Sequence, residues 1–128
     1  MNQNLTAHEK EFLTKAKYIR RFLASELGVA TTPLKDLLRF YERMAELYTK
    51  DGDESNAQEC RALYLDFSET DMYFEIAEEY LRDAEDQYNG LSGHLVRIHY
   101  NLMEAYIDKG ETEKAMEHKR KLDEYVDE

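Results

Sequence analysis

The sequence predicts an all-α protein of about six antiparallel helices, and three observations carry that expectation. Large apolar residues recur at helical spacing, as in Leu34, Leu37, Leu38, Tyr41, Met44, Ala45 and Tyr48. No stretch alternates apolar and polar residues as a half-buried strand must. A single proline occurs in 128 residues, and the five glycines read as corners between apolar runs. The length suits one domain over residues 1–128 with a core of its own, and 42% hydrophobic with 35% charged residues is ordinary for a soluble helical protein.

The first helix is expected from about Ala7 to Leu27. Thr6 serves as N-cap and Glu9 completes a capping box. Phe12, Ala16, Ile19, Phe22, Leu23 and Leu27 form its apolar stripe, and Gly28 ends it. The second helix starts with Thr32 as N-cap and Pro33 in the first helical position, and stops at Gly52. The third, about Ser55 to Phe67, carries Ala57, Cys60, Leu63, Tyr64 and Phe67. Ser68 and Asp71 mark a break before a fourth helix, about Glu69 to Tyr88, with Tyr73, Ile76, Ala77, Tyr80, Leu81, Ala84 and Tyr88 on one side and Asn89-Gly90 at its end. The fifth takes Ser92 as N-cap, with Leu91 and Val96 as a hydrophobic staple, and runs to Asp108. The sixth, about Thr112 to Val126, turns Ala115, Leu122 and Tyr125 inward. Short connections favour antiparallel neighbours.

The chain also echoes itself. Displaced by 58 positions, Leu37 meets Leu95, Arg39 meets Arg97, Glu46 meets Glu104, Tyr48 meets Tyr106, Gly52 meets Gly110 and Ala57 meets Ala115. Each copy describes a helical hairpin: a stripe of large residues, a glycine that can end the helix in the left-handed conformation, and a small alanine that lets the next helix approach closely. The two copies, Tyr41, Met44, Ala45, Tyr48, Gly52, Ala57 and His99, Leu102, Met103, Tyr106, Gly110, Ala115, resemble the tetratricopeptide repeat, in which an aromatic is followed by Leu, a small residue, Tyr, Gly and Ala. The resemblance implies a tetratricopeptide-like right-handed helical stack or a compact bundle. A spacing of 58 instead of the family's 34 requires an extra helix between the copies. It also implies a groove lined by the first helix of each pair, here Arg39, Glu42, Glu46 and Thr49, then Arg97, Tyr100, Glu104 and Asp108. Members that clamp an acidic C-terminus have Lys and Asn where this chain has Glu42, Glu46, Tyr100 and Glu104, which reverses the charge expected of a ligand.

Charge is distributed unevenly along the chain. Met1 to Arg43 holds eight basic and five acidic residues, whereas Asp51 to Asp86 holds thirteen acids and only Arg61 and Arg82. A phosphate backbone is repelled by such an acidic surface, which disfavours direct nucleic-acid binding. Residues 22–38 nonetheless have helix-turn-helix spacing, with Ala24, Gly28, Leu34 and Leu37 at its small, glycine and apolar positions and Lys35 and Arg39 offered outward. A plain helical corner uses the same residues.

No catalytic or metal-ligand signature appears. His8, His94, His99 and His118 make no Glu-x-x-His pair, there is no His-Glu-x-x-His and no Cys-x-x-Cys, and the acids from Glu75 to Asp86 fall on several faces of one helix. His99, at a core-facing repeat position, reads as a hydrogen-bonded packing residue. No cofactor is expected and the protein is read as non-enzymatic. Ten tyrosines lie mostly on apolar stripes, where they pack, and Tyr73, Tyr80 and Tyr100 are candidates for a wet binding face. One cysteine, Cys60, excludes an internal disulfide, and the polar start of the chain lacks a signal-peptide core, so a cytoplasmic location is expected, with no membrane span. Two function classes follow: an adaptor or regulator that binds a basic or mixed-charge protein segment, or a small acidic inhibitor that imitates nucleic-acid phosphates on a DNA- or RNA-binding protein; a regulator with an N-terminal helix-turn-helix at residues 22–38 is the further alternative.

Overall fold

The computed structural model describes residues 4–87 and 93–126, and these form seven α-helices with no strand among the described residues. They are α1 (Ala7–Leu23), α2 (Glu26–Thr31), α3 (Leu34–Lys50), α4 (Glu54–Glu69), α5 (Met72–Gln87), α6 (Gly93–Lys109) and α7 (Thr112–Val126). The expected end of the fourth helix at Tyr88 to Gly90, and the Leu91 and Ser92 start of the next, lie outside the described residues. No helix among the described residues is long and apolar enough to cross a membrane.

α1 begins as its sequence requires. The Thr6 hydroxyl accepts from the Glu9 backbone N–H at 3.1 Å, and the Glu9 carboxylate accepts from the Thr6 N–H at 2.9 Å. That carboxylate also receives Lys50 Nζ at 3.0 Å, tying the start of α1 to the end of α3. These bonds, the Thr6 N–H first and Lys50 second, hold the Glu9 pKa below the ordinary glutamate value.

The first expected helix is two helices, and Gly28 does not end it. The chain breaks at Ala24 and Ser25; the Ser25 hydroxyl accepts from the Gly28 N–H at 3.0 Å and caps α2. Gly28 sits inside α2, against the chain's own backbone: a Cβ there would stand 1.8 Å from the Phe22 carbonyl oxygen. The break changes which face of α1 is covered. Leu13, Ala16 and Leu23 are buried and Phe12 half-buried, while Ile19, Phe22 and Leu27, assigned to the stripe from the sequence, are exposed. Thr32 does not cap α3. Its hydroxyl donates to the Gly28 carbonyl at 2.7 Å, and Pro33 occupies the N-cap position of α3 without a side-chain cap.

α2 has six residues, too few to hold itself, and is kept by its neighbours. Gly28, Val29 and Ala30 are buried, and α2 packs against α1, α5 and α6. Its final carbonyls lack helical partners. Two side chains supply them: Asn101 of α6 donates to the Ala30 carbonyl at 3.3 Å, and the Tyr73 hydroxyl of α5 donates to the Thr32 carbonyl at 2.9 Å. Tyr73 is therefore a core residue, fully buried and unavailable to a binding face, and burial raises its pKa.

Two hairpins, α3–α4 and α6–α7, account for most of the helix packing. Their corners are built alike, 58 residues apart. The Gly52 N–H reaches the Thr49 carbonyl and the Asp53 N–H the Tyr48 carbonyl; the Gly110 N–H reaches the Ile107 carbonyl and the Glu111 N–H the Tyr106 carbonyl. This is the paired hydrogen-bond pattern of a Schellman ending, and both glycines have positive φ, 78° and 89°. Ala57 and Ala115 are buried on the returning helices, as are Tyr48 and Tyr106 on the outgoing ones. The extra helix that the spacing demands is α5, whose Phe74 ring stacks on Tyr106 with centroids 4.3 Å apart. The described buried side chains join into one cluster running from Leu5 to Ala115.

Candidate partner-binding groove

The eight residues expected to line a groove are all exposed, four on α3 and four on α6. The structure brings three of them together. Glu42, Glu46 and Thr49 line a groove of about 530 Å³ whose other wall is α4, through Arg61, Tyr64 and Leu65, with Ala45 at its base. The helical period of α3 places Glu42, Ala45, Glu46 and Thr49 on one side at three- and four-residue steps. On α4, Arg61, Tyr64 and Leu65 follow the same steps. Ala45 is buried, Tyr64 half-buried and Leu65 48% exposed, so the floor is apolar and open.

Polar groups around this floor are of two kinds. Arg61 is held in place: it donates to Thr49 Oγ1 at 3.0 Å and pairs with Glu54. Glu46 meets Arg43 across one helical turn at 3.3 Å, in an exposed pair of small energetic weight. Glu42 completes the rim.

The other expected residues lie elsewhere. Arg39 borders a separate depression with Phe12, Asp36, Phe40 and Arg43. Asp108 lines a depression with Leu34, Phe67 and Phe74 and pairs with Lys35 at 3.3 Å, so the start of α3 meets the end of α6. Tyr100 and Glu104 hydrogen-bond to each other on the outer face of α6, which raises the Tyr100 pKa. Arg97 is exposed on the same helix. Within residues 22–38, Gly28 is buried in α2 and Lys35 is engaged by Asp108, so the helix-turn-helix spacing falls on two breaks of the chain, before and after α2.

His99 is buried and hydrogen-bonded, as its core-facing position implies, and it belongs to a second polar constellation. His99 of α6 and His118 of α7 are both buried, at 3% and 7% exposure. Their Nδ1 atoms stand 2.8 Å apart. His99 Nε2 lies 2.9 Å from Glu85 Oε1, and His118 Nε2 rests on Glu78 Oε1. The Tyr106 hydroxyl donates to Glu78 at 3.3 Å and the Tyr125 hydroxyl to Glu85 at 3.4 Å. Burial lowers the His99 pKa, against the pull of Glu85. For Glu78 burial acts upward, but its bonds from His118 and Tyr106 win and its pKa is lowered. Among the described residues no group of three or more His, Cys, Asp and Glu is arranged to hold a metal ion. Cys60 is buried and free, its thiol pKa raised by burial, which does not favour the nucleophilic thiolate.

Compared with known protein families, curated protein sequences and solved structures, the chain matches none.

Proposed function

We propose that this protein is a non-enzymatic adaptor or regulator, a degenerate relative of tetratricopeptide proteins acting in a cytoplasm, and that it holds a basic or mixed-charge protein segment in the groove between α3 and α4. The observation that carries the reading is the composition of that groove: an apolar floor of Ala45, Tyr64 and Leu65 bordered by Glu42 and Glu46, with Arg61 tied to Thr49 and Glu54. Such a groove suits an apolar side chain that anchors by burial, flanked by Lys or Arg that meets the carboxylates. The acidic α4 and α5 extend the same sign of charge beyond the rim. The exposed strip of Arg97, Tyr100, Glu104 and Asp108 on α6 is a second contact of the same partner in this reading.

The test starts from a photo-crosslinking residue at Leu65, which identifies the partner. Binding is then measured by calorimetry for Glu42→Lys, Glu46→Lys, Glu104→Lys and Leu65→Asp across a salt series. Glu46→Lys and Leu65→Asp are expected to weaken binding by roughly tenfold or more, since a buried apolar anchor and its adjacent charge carry most of such an interface. Unchanged affinity for all four variants, with no dependence on salt, overturns the acidic-groove reading.

A further inference from the structure

The buried constellation between α5, α6 and α7 constrains its own protons. An ionised carboxylate only accepts hydrogen bonds, so each Nε2 that faces one carries hydrogen. With hydrogen on both Nε2 atoms, the neutral rings would direct two Nδ1 lone pairs at each other across 2.8 Å. An electrophile must lie between them, either a proton or a metal ion. Distance decides which. An N–H···O bond spans roughly 2.7–3.2 Å, and an N–H···N bond is of similar length. Two imidazoles on one tetrahedral metal, each about 2.0–2.1 Å from it, stand about 3.3 Å apart, and farther in a linear arrangement. The observed separation is that of a hydrogen bond.

We infer that His99 and His118 share one proton, forming a single imidazolium held between Glu78 and Glu85, and that this proton latches α7 to α5 and α6. Three N–H groups on four ring nitrogens then satisfy every contact in the chain Glu85, His99, His118, Glu78. A second proton places N–H against N–H and the link cannot close; removal of the shared proton leaves lone pair against lone pair. The surrounding groups fit a single positive charge. α5 contributes Glu78 and Glu85; α6 contributes the Tyr106 hydroxyl; α7 contributes the Tyr125 hydroxyl, and Lys114 standing 5.6 Å over the Tyr106 ring. Around Glu78 the cleft also holds Asp71, Glu75, Glu79, Arg82, Lys109 and Glu111.

The pH dependence has a definite sign. Two separate solvated imidazoles, each half-protonated near pH 6.5, together bind one proton at that pH. The docked pair binds one proton on both sides of it. Below pH 6.5 the released state binds more protons, so docking weakens as pH falls, in keeping with the lowered His99 pKa. Above pH 6.5 the docked state binds more, so docking weakens as pH rises from there, until the shared proton is itself lost. The latch is strongest near pH 6.5.

Hydrogen exchange of the α7 amides in the full chain, corrected for intrinsic rates and compared with those of α3 and α4, tests this between pH 5 and 9. The expected result is a maximum of relative α7 protection near pH 6.5 and a fall of roughly tenfold by pH 5, since the proton difference grows from zero at pH 6.5 to nearly one at pH 5. His118→Gln removes one of the two rings that share the proton and is expected to flatten the maximum. Nitrogen NMR of the imidazoles in the unsubstituted protein is expected to show hydrogen on both Nε2 atoms and one hydrogen shared by the Nδ1 pair at pH 6.5. The inference is overturned if α7 protection parallels that of α3 and α4 at every pH. It is equally overturned if two neutral rings are found at pH 6.5, or if added zinc raises α7 protection and removes its pH maximum.

Discussion

Gly28 and Gly110 are both glycines for reasons of backbone, but the reasons differ and so do their consequences. At Gly110 there is open space where a side chain would go, and φ of +89° is the constraint. At Gly28 the helix itself is unstrained and the space is missing, because the Phe22 carbonyl from the preceding break occupies it. Gly110→Val is expected to cost about 1–2 kcal/mol, from forcing a β-branched residue into the left-handed region. Gly28→Ala should cost about 1–3 kcal/mol or more, because α1 must move away from α2. Urea unfolding checks both, and the contrast is diagnostic: Gly110→Asn should recover part of the loss at the corner, since Asn tolerates positive φ, whereas Gly28→Asn should be worse than Gly28→Ala. Ala57 and Ala115 are constrained by volume alone. Each is buried on the returning helix of a hairpin, so Ala57→Leu and Ala115→Leu are expected to overpack by roughly 1–3 kcal/mol, measured by the same denaturation midpoint. A wild-type midpoint for Ala115→Leu would show that the α6–α7 contact has room for the larger side chain.

Among the elements, what could be read from the sequence was whatever has a local cause. The hairpin corners at Gly52 and Gly110, the capping box at Thr6 and Glu9 and the apolar faces of α3 and α6 each depend on residues within one or two turns. The division of the first helix was missed because its apolar residues continue in helical period across the break, and periodicity registers spacing, not the axis on which it lies. A local signal was present: Ser25 followed by Glu26 is a helix start, and the apparent terminator Gly28 lies three residues inside it. The histidine constellation had no such signal. His99 and His118 are 19 residues apart, and Glu78 is 40 residues from His118, so only the assembled helices place them together. The candidate groove was half legible for the same reason: the α3 residues follow from one helical face, whereas Arg61, Tyr64 and Leu65 enter through the packing of α4. The seat of α2 gives a prediction at this scale. Tyr73→Phe and Asn101→Leu each strip a donor, from the half-buried Thr32 carbonyl and the buried Ala30 carbonyl, at an expected cost of about 1–3 kcal/mol each. Because both serve the end of the same short helix, the double variant should lose less than the sum of the single losses. Additive losses in a double-mutant cycle would mean that α2 does not respond as one unit.

Over the whole molecule the charge is segregated by helix. α1 and α3 carry most of the basic residues of the first third of the chain, α4 and α5 are strongly acidic, and the formal net charge is −11. Such a distribution does little for the fold, since most of the ion pairs among the described residues, Arg43 with Glu46 or Lys35 with Asp108, join two exposed side chains. Its effect is on approach. A basic segment is drawn toward the acidic side from beyond contact range, and at physiological ionic strength that attraction is screened over about 8 Å. Long-range steering acts on association, whereas the apolar floor at Ala45, Tyr64 and Leu65 acts on dissociation. The two contributions of the proposed groove are therefore separable by kinetics. For the crosslinked partner, raising sodium chloride from roughly 50 to 500 mM is expected to reduce the association rate by on the order of tenfold, while the dissociation rate changes by less than about twofold. Reversal of distant acids on α5, such as Glu75→Lys with Glu79→Lys, should reproduce the effect of salt on association and leave dissociation alone. Leu65→Asp should accelerate dissociation at every salt concentration. If stopped-flow measurements instead place the salt dependence in the dissociation rate and show no response to the α5 reversals, the acidic surface does not steer the partner, and its role is confined to the two carboxylates that border the groove.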